Sequence, residues 1–306
     1  MRMKGKVSIM AKTLPFTGAG VAIITPFDGN KTNYDELGRI IEDQIAGGTD
    51  AIVICGTTGE ASTMPDAEHL AAIEYAVKKT AKRIPVIAGT GSNDTAHAIE
   101  LSKKAEELGA DAILSVTPYY NKASQKGLIA HFTAIANAIS IPVILYNVPS
   151  RTGVSFAIDT LKELSKIENI VAIKEASGNI SYTAKVAAEV PDLYIYSGND
   201  DMIVPILSLG GKGVISVLSN VMPKETHEMC ANYFAGNTAE ATAMQLKYLD
   251  LINKLFIEVN PIPVKTAMNM LGYNAGNLRL PLCEMEEKNK ETLKQAMINA
   301  GLKLAE

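Results

Sequence analysis

Short apolar runs rich in valine and isoleucine alternate along this chain with longer stretches whose apolar residues recur every three or four positions. The runs are Val21–Phe27, Ala51–Gly56, Val86–Thr90, Ala112–Thr117, Pro142–Asn147, Val171–Glu175, Leu193–Gly198 and Gly213–Ser219. They recur at roughly 20–35 residues, the size of a strand-plus-helix unit. Strands so uniformly apolar are covered on both faces, as in a parallel sheet. Between them, Asp66–Lys82 offers Leu70, Ile73, Tyr75, Ala76 and Val77 as a core stripe. Ala96–Leu108 reads as a helix capped by Asn93 or Thr95 and stopped by Gly109. Gly47-Gly48 and Gly210-Gly211 sit where a helix C-terminus calls for positive φ. Pro85 and Pro142 open strands, where no ladder donor is lost.

Eight such units either close into a (β/α)8 TIM barrel or lie open as a doubly wound sheet, and the count favours the barrel. No glycine-rich nucleotide fingerprint follows the first strand. Gly89-Thr90-Gly91-Ser92-Asn93-Asp94 begins like one but ends in Asp. After Pro223 the strands stop. Lys224–Ala235 can complete the barrel, and Ala239–Phe256, Pro263–Leu271 and Glu284–Ala305 predict a three-helix appendage. The expected division is a flexible leader over 1–14, a catalytic barrel over 15–236 and a C-terminal helical region over 237–306.

Composition narrows the function. The 306 residues are 47% hydrophobic and 20% charged, with a net charge of −4. No extended Lys/Arg run favours nucleic acid or an anionic membrane, so neither is expected as a partner. An anion site would have to be built locally. Cys55, Cys230 and Cys283 are odd in number and far apart, a poor disulfide framework. The apolar run within residues 1–10 is too short for a signal-peptide core, and no stretch approaches a membrane span. A cytoplasmic protein is the expectation. His69, His97, His131 and His227 lack metal-ligand spacing and are placed on helix surfaces, and no GxSxG elbow occurs. Neither a metal nor a cofactor is expected.

Lys174 is the anomaly in this pattern. It lies near the C-terminal end of an apolar strand, Ile170–Glu175, the end at which barrel enzymes do chemistry. Burial favours its neutral amine, which can attack a ketone and form a Schiff base. The alternative is a buried ion pair. Glu175 is a poor partner, because strand neighbours point to opposite faces. The other strand ends carry Gly56-Thr57-Thr58-Gly59-Glu60, Thr117-Pro118-Tyr119-Tyr120, Tyr146-Asn147-Val148-Pro149-Ser150-Arg151-Thr152-Gly153 and Ser197-Gly198-Asn199-Asp200. Hydroxyls joined by one lysine and one arginine suit small oxygen-rich ligands. Each also has a plainer role. Thr57 and Thr58 could cap the next helix, Tyr146 could be a core tyrosine, Tyr119-Tyr120 an interface patch and Arg151 a surface charge.

These motifs, together with Asn260-Pro261-Ile262-Pro263-Val264-Lys265, resemble the dihydrodipicolinate synthase family over roughly residues 15–300. The family belongs to the Schiff-base pyruvate aldolases and lyases. The resemblance implies that pyruvate condenses on Lys174 and that the enamine adds to L-aspartate 4-semialdehyde, giving 4-hydroxy-tetrahydrodipicolinate for diaminopimelate and lysine biosynthesis. It implies Tyr146 as the proton relay, Thr57 as its hydrogen-bonded partner and Tyr120 as a relay member crossing from a neighbouring subunit. It also implies Thr58 on the pyruvate carboxylate, Arg151 on the semialdehyde carboxylate, and Gly198 and Ile215 as backbone-lined positions beside the lysine. A homotetramer built from tight dimers is implied as well. Both threonines and Arg151 set the chain apart from the sialic acid lyases, which leaves a sugar-derived 2-keto acid aldolase as the alternative. A non-catalytic pyruvate-binding barrel is a further alternative, but it would require a broken relay, and the relay residues are all present.

Some members of that family bind lysine at the subunit interface. Tyr119, Asn93 and His69 match that site. Ala61-Ser62 is swapped relative to the family, Asp66 replaces a histidine and His97 replaces a glutamate. Losing that glutamate removes a partner for a cationic amine, so weak or absent lysine inhibition is expected.

Overall fold

The computed structural model describes residues 12–305, so most of the expected leader lies outside the described residues. Eight parallel strands form a closed barrel: β1 (Gly18–Ala22), β2 (Ala51–Ile54), β3 (Val86–Gly89), β4 (Ala112–Val116), β5 (Val143–Asn147), β6 (Ile170–Glu175), β7 (Tyr194–Ser197) and β8 (Gly213–Ser216). Each pairs with its sequence neighbours, and β1 pairs with β8, so the sheet has no edge. The open-sheet alternative is thereby excluded.

The closing seam explains the one strand that the apolar pattern misplaced. β1 begins at Gly18 and ends at Ala22, not over Val21–Phe27. Its glycines carry no hydrophobic signal, yet the closure needs them. Gly18 pairs with Gly213, and a Cβ on Gly213 would lie 1.9 Å from the Gly18 carbonyl oxygen. Phe27 instead opens a short antiparallel hairpin, Phe27–Asp28 with Lys31–Thr32.

Two cores follow from strand alternation. Residues such as Val53, Ile87, Ile144, Ala172 and Ile215 fill the barrel interior. Phe16 stacks on Tyr196 at 4.4 Å and is part of that same inner cluster. Outward residues such as Ile52, Ile54, Leu145 and Ile173 pack in the larger cluster with helix residues such as Leu37, Leu128 and Leu161. Each fully buried Leu or Ile contributes about 1.5–3 kcal/mol, so this double core can hold a few buried polar groups in place.

The outer helices are α1 (Tyr34–Ala46), α2 (Asp66–Thr80), α3 (Thr95–Glu107), α4 (Gln125–Asn137), α5 (Ile158–Leu164), α6 (Ile180–Glu189), α7 (Ile203–Ser208) and α8 (Pro223–Phe234). α3 is capped by Asp94, which accepts from the Ala96 N–H, and not by Asn93 or Thr95. The Asn93 amide is engaged elsewhere, donating to the Tyr119 carbonyl. His69 and His131, expected on helix surfaces, are buried. His69 Nε2 lies 2.8 Å from the Gly89 carbonyl oxygen and His131 Nδ1 2.8 Å from the Thr95 hydroxyl, partners contributed by the neighbouring elements.

The tail forms α9 (Thr238–Lys247), α10 (Leu249–Lys254), α11 (Ile262–Met270) and α12 (Glu287–Asn299). The expected helix over Ala239–Phe256 is therefore two helices that part at Tyr248. α9 packs on α8, whereas α10 packs on α12, so one straight axis would not serve both contacts. A buried network fastens the tail to the barrel. Lys265 of α11 pairs with Glu60 at 2.7 Å, both side chains being 1% exposed. Glu60 also accepts from the Arg279 N–H, and the Arg279 guanidinium forks onto Glu68 with two 2.7 Å bonds. Lys265 Nζ and the Arg279 guanidinium lie 4.0 and 3.8 Å from the Phe27 ring centroid.

Candidate active site

Register aligns Tyr146 of β5, Lys174 of β6 and Tyr196 of β7. Ala172 belongs to the interior cluster and Ile173 to the outer one, so alternation sends Lys174 inward with Ala172. Its Nζ lies 4.3 Å from the Tyr146 ring centroid. Lys174 is buried, yet among the described residues no carboxylate forms a salt bridge with it. Glu175 faces the other way. It accepts from the Asn147 amide at 2.8 Å and the Ser177 N–H at 2.7 Å. Burial pushes its carboxyl up, against the pull of Ser177 and Asn147.

A cavity of about 470 Å³ opens over Lys174 at the C-terminal ends of the strands. Thr57, Thr58, Tyr146, Arg151, Lys174 and Gly198 all line it. Six of the residues singled out from sequence, spread over more than 140 positions, thus share one wall. Thr57 and Thr58 do not cap α2, which starts only at Asp66. They sit on a tight loop whose ends, Cys55 and Glu60, take positive φ of 56° and 55°. The loop nests against β3, where a Cβ on Gly89 would lie 2.2 Å from the Cys55 carbonyl oxygen. Thr58 is buried and Thr57 is exposed. No hydrogen bond joins Thr57 to Tyr146 in this structure. Gly198 backs the lysine closely, since a Cβ there would lie 3.1 Å from Lys174 Cε and 2.6 Å from Ala176 Cβ.

Arg151 sits on a helical turn, Pro149–Thr152, and Gly153 ends the turn at φ 68°. Its guanidinium donates to the Asn260 carbonyl at 3.0 Å. Ile215 is fully buried on β8 inside the barrel and does not line the cavity.

Asp200 and Asn260 also line the wall, although in the sequence they stand within motifs and carry no assigned role. Asp200 follows Gly198-Asn199 and is buried. One carboxylate oxygen accepts from the Val217 and Leu218 N–H groups, both at 2.9 Å. Burial raises its carboxyl, opposed by the Ser216 hydroxyl, those two amides and the Lys174 charge. Asn260, from the tail, is buried and donates to the Thr58 hydroxyl at 3.0 Å. Asp200 was visible as one more polar residue at a strand end. Asn260 lies outside the eight repeats, and only the fold brings it here.

A second cavity of about 370 Å³ shares Thr57, Tyr146 and Arg151 with the first, and His69, His97 and Tyr119 line its far side. Asn93 is not on that wall. His97 lies between the Ser92 hydroxyl at 3.2 Å and the Asp66 carboxylate at 3.1 Å. Burial holds the His69 imidazole below its usual range, against the pull of the Gly89 carbonyl. Tyr120 joins neither cavity. It is 91% exposed, at φ 70°.

Residues 15–300 match the model of the dihydrodipicolinate synthetase family. The chain is 62% identical over 288 residues to the 4-hydroxy-tetrahydrodipicolinate synthase of Acetivibrio thermocellus, covering 94% of this chain and 98% of the relative. It superposes on the crystal structure of dihydrodipicolinate synthase from Aquifex aeolicus with a TM-score of 0.93 at 45% identity, covering 95% of this chain and 100% of that one. The lysine-bound enzyme of Cyanidioschyzon merolae gives 0.91 at 41% identity, covering 94% and 99%.

Proposed function

The chain belongs to the dihydrodipicolinate synthetase family, and from that premise we propose that it condenses pyruvate with L-aspartate 4-semialdehyde to give 4-hydroxy-tetrahydrodipicolinate, the first committed step of diaminopimelate and lysine biosynthesis. The observation that carries the reading is Lys174: a buried amine at the catalytic end of the barrel, without an ion-pair partner and facing a cavity ringed by hydroxyls.

In this reading the Lys174 nitrogen attacks the pyruvate ketone carbon. The carbinolamine oxygen leaves as water, and a protonated imine remains. That imine is an electron sink, so a methyl proton can depart and leave a nucleophilic enamine. The enamine carbon attacks the aldehyde carbon of the semialdehyde, and the resulting alkoxide takes up a proton. The substrate amine then attacks the imine carbon and expels the Lys174 amine, closing the ring. Tyr146, whose ring lies against the lysine, carries protons to and from these intermediates, with Thr57 beside it on the wall. Thr58 holds the pyruvate carboxylate, and Arg151 at the rim holds that of the semialdehyde. Gly198 backs the lysine at the cavity wall, while Ile215 packs in the barrel interior beneath it. No cofactor is called for, because the imine itself stabilises the carbanion.

We propose further that Tyr120 completes the relay of a second subunit in a homotetramer of tight dimers. Its exposure and its absence from the wall of its own cavity support that assignment. A cytoplasmic location fits this biosynthetic role, and no described helix is long and apolar enough to cross a membrane. Lysine inhibition is weak or absent in this reading. His97 already hydrogen-bonds toward Asp66, in place of the free carboxylate that a cationic effector would need.

Borohydride reduction in the presence of pyruvate, followed by mass spectrometry, tests the chemistry. A pyruvyl adduct on Lys174 is expected, and its absence would end the proposal. Turnover of the semialdehyde and not of N-acetylmannosamine then separates this reaction from a sugar-acid aldolase. Strong inhibition by lysine below millimolar concentration would overturn the regulatory reading. Sedimentation of a monomer would overturn the shared relay.

A further inference from the structure

We propose that Asn260 is a positioning residue for pyruvate, its carboxamide fixing the Thr58 hydroxyl as a donor into the cavity. The inference rests on the reading of Thr58 as the residue that holds the pyruvate carboxylate. Asn260 stands just before α11, 202 positions from Thr58 along the chain, and only 5% of it is exposed. Its Nδ2 donates to Thr58 Oγ1 at 3.0 Å. A hydroxyl that accepts from an amide still has its own proton to give. Among the described residues Thr58 makes no other side-chain hydrogen bond, and it lines the cavity, so that proton is left for a ligand there. A carboxylate is the partner that gains most from such a donor.

Two further features tie Asn260 to the ligand side. Its Oδ1 is buried in the same wall without a hydrogen-bond partner. A buried amide oxygen left unmatched is costly, and since pyruvate has no donor to offer it, its match would be water or the ammonium of the second substrate. Its main-chain carbonyl accepts from Arg151, so one residue ties together the Arg151 and Thr58 sides of the wall. The Glu60–Lys265 pair locks both ends of this contact, because Glu60 follows the Thr57-Thr58 loop and Lys265 lies one turn into α11.

The test follows the pyruvate concentration that half-saturates borohydride trapping on Lys174. N260A should raise it by roughly tenfold, the loss of one hydrogen bond at a charged group, with the adduct at saturating pyruvate undiminished. N260D has the same shape as the native residue and carries the test if N260A does not fold. It should raise the half-saturation further, since a carboxylate takes the Thr58 proton for itself and repels the substrate. In a T58V background N260A should add less than about twofold, because the group it positions is gone. Native half-saturation in N260D would overturn the proposal. So would a tenfold effect of N260A that persists in T58V, or a loss of adduct amplitude without a shift in half-saturation. A native protein that forms no adduct would instead overturn the Schiff-base reading beneath it.

Discussion

Lys174 and Lys265 are both buried, 6% and 1% exposed, and both lie against an aromatic ring, yet they are solved in opposite ways. Lys265 is given a carboxylate, Glu60, at 2.7 Å. Lys174 is given a tyrosine face, a glycine at its back and a cavity. In the proposed reaction, leaving one buried amine without a salt bridge keeps it available as a nucleophile, whereas pairing the other turns a charge into a fastening. Even paired, Lys265 has its amine held down to about 8, because burial outweighs the pull of Glu60 and Arg279 pushes the same way. A buried pair of this kind specifies where the tail docks more than it stabilises it.

Exchanging the roles would break the comparison, and K174A is the sharpest cut. It should abolish the pyruvyl adduct and lower turnover by roughly 10⁴-fold or more, with the fold retained. K265M should do the reverse. It leaves Glu60 buried without its cationic partner and should cost about 3–5 kcal/mol in a urea titration, while the folded fraction still forms the adduct. An adduct on Lys265, or a K265M protein of native stability, would erase the distinction.

A smaller effect is expected from G198A, whose Cβ would press on Ala176 and Lys174 Cε. Shifting the amine should lower kcat by roughly 10²-fold, and the contact with Ala176 Cβ, which cannot swing away, should lower the melting temperature as well. Unchanged kcat would mean that the backing of Lys174 is not tight. The smallest effect concerns pH. Lys265 has a folded value of about 8, below its ordinary 10.5. Between those values the unfolded chain binds the extra proton, so stability rises with pH through this group. The native protein should gain on K265M from pH 8 to 10.5, by at most ~1.4 kcal/mol per pH unit. A gap that stays constant or moves the other way would show that Glu60 outweighs burial.

The repeating strand-helix rhythm was legible because each strand is buried on two faces and each helix on one. It failed where the side chain is missing or the environment decides. Glycine carries no hydrophobic signal, so β1 was read late, although Gly18 and Gly213 are what let the barrel close. His69 and His131 were read as surface residues because a helix period does not say which polar residue will meet a carbonyl or hydroxyl from the next element. Tyr248 broke a helix that its own periodicity would have continued, since its two halves pack on different neighbours.

The sequence by itself determined the eightfold pattern and the strand ends at which Thr57, Thr58, Tyr146, Arg151, Lys174 and Gly198 would stand. Apolar periodicity and turn residues are local properties, and a barrel gathers its strand ends at one mouth. Only the tertiary structure decided which buried lysine would be paired, since Glu60 and Lys265 are 205 positions apart. It alone brought Asn260 from the tail onto Thr58 and left Tyr120 facing outward. Those outcomes depend on distances between elements that share no local pattern, and packing alone fixes such distances.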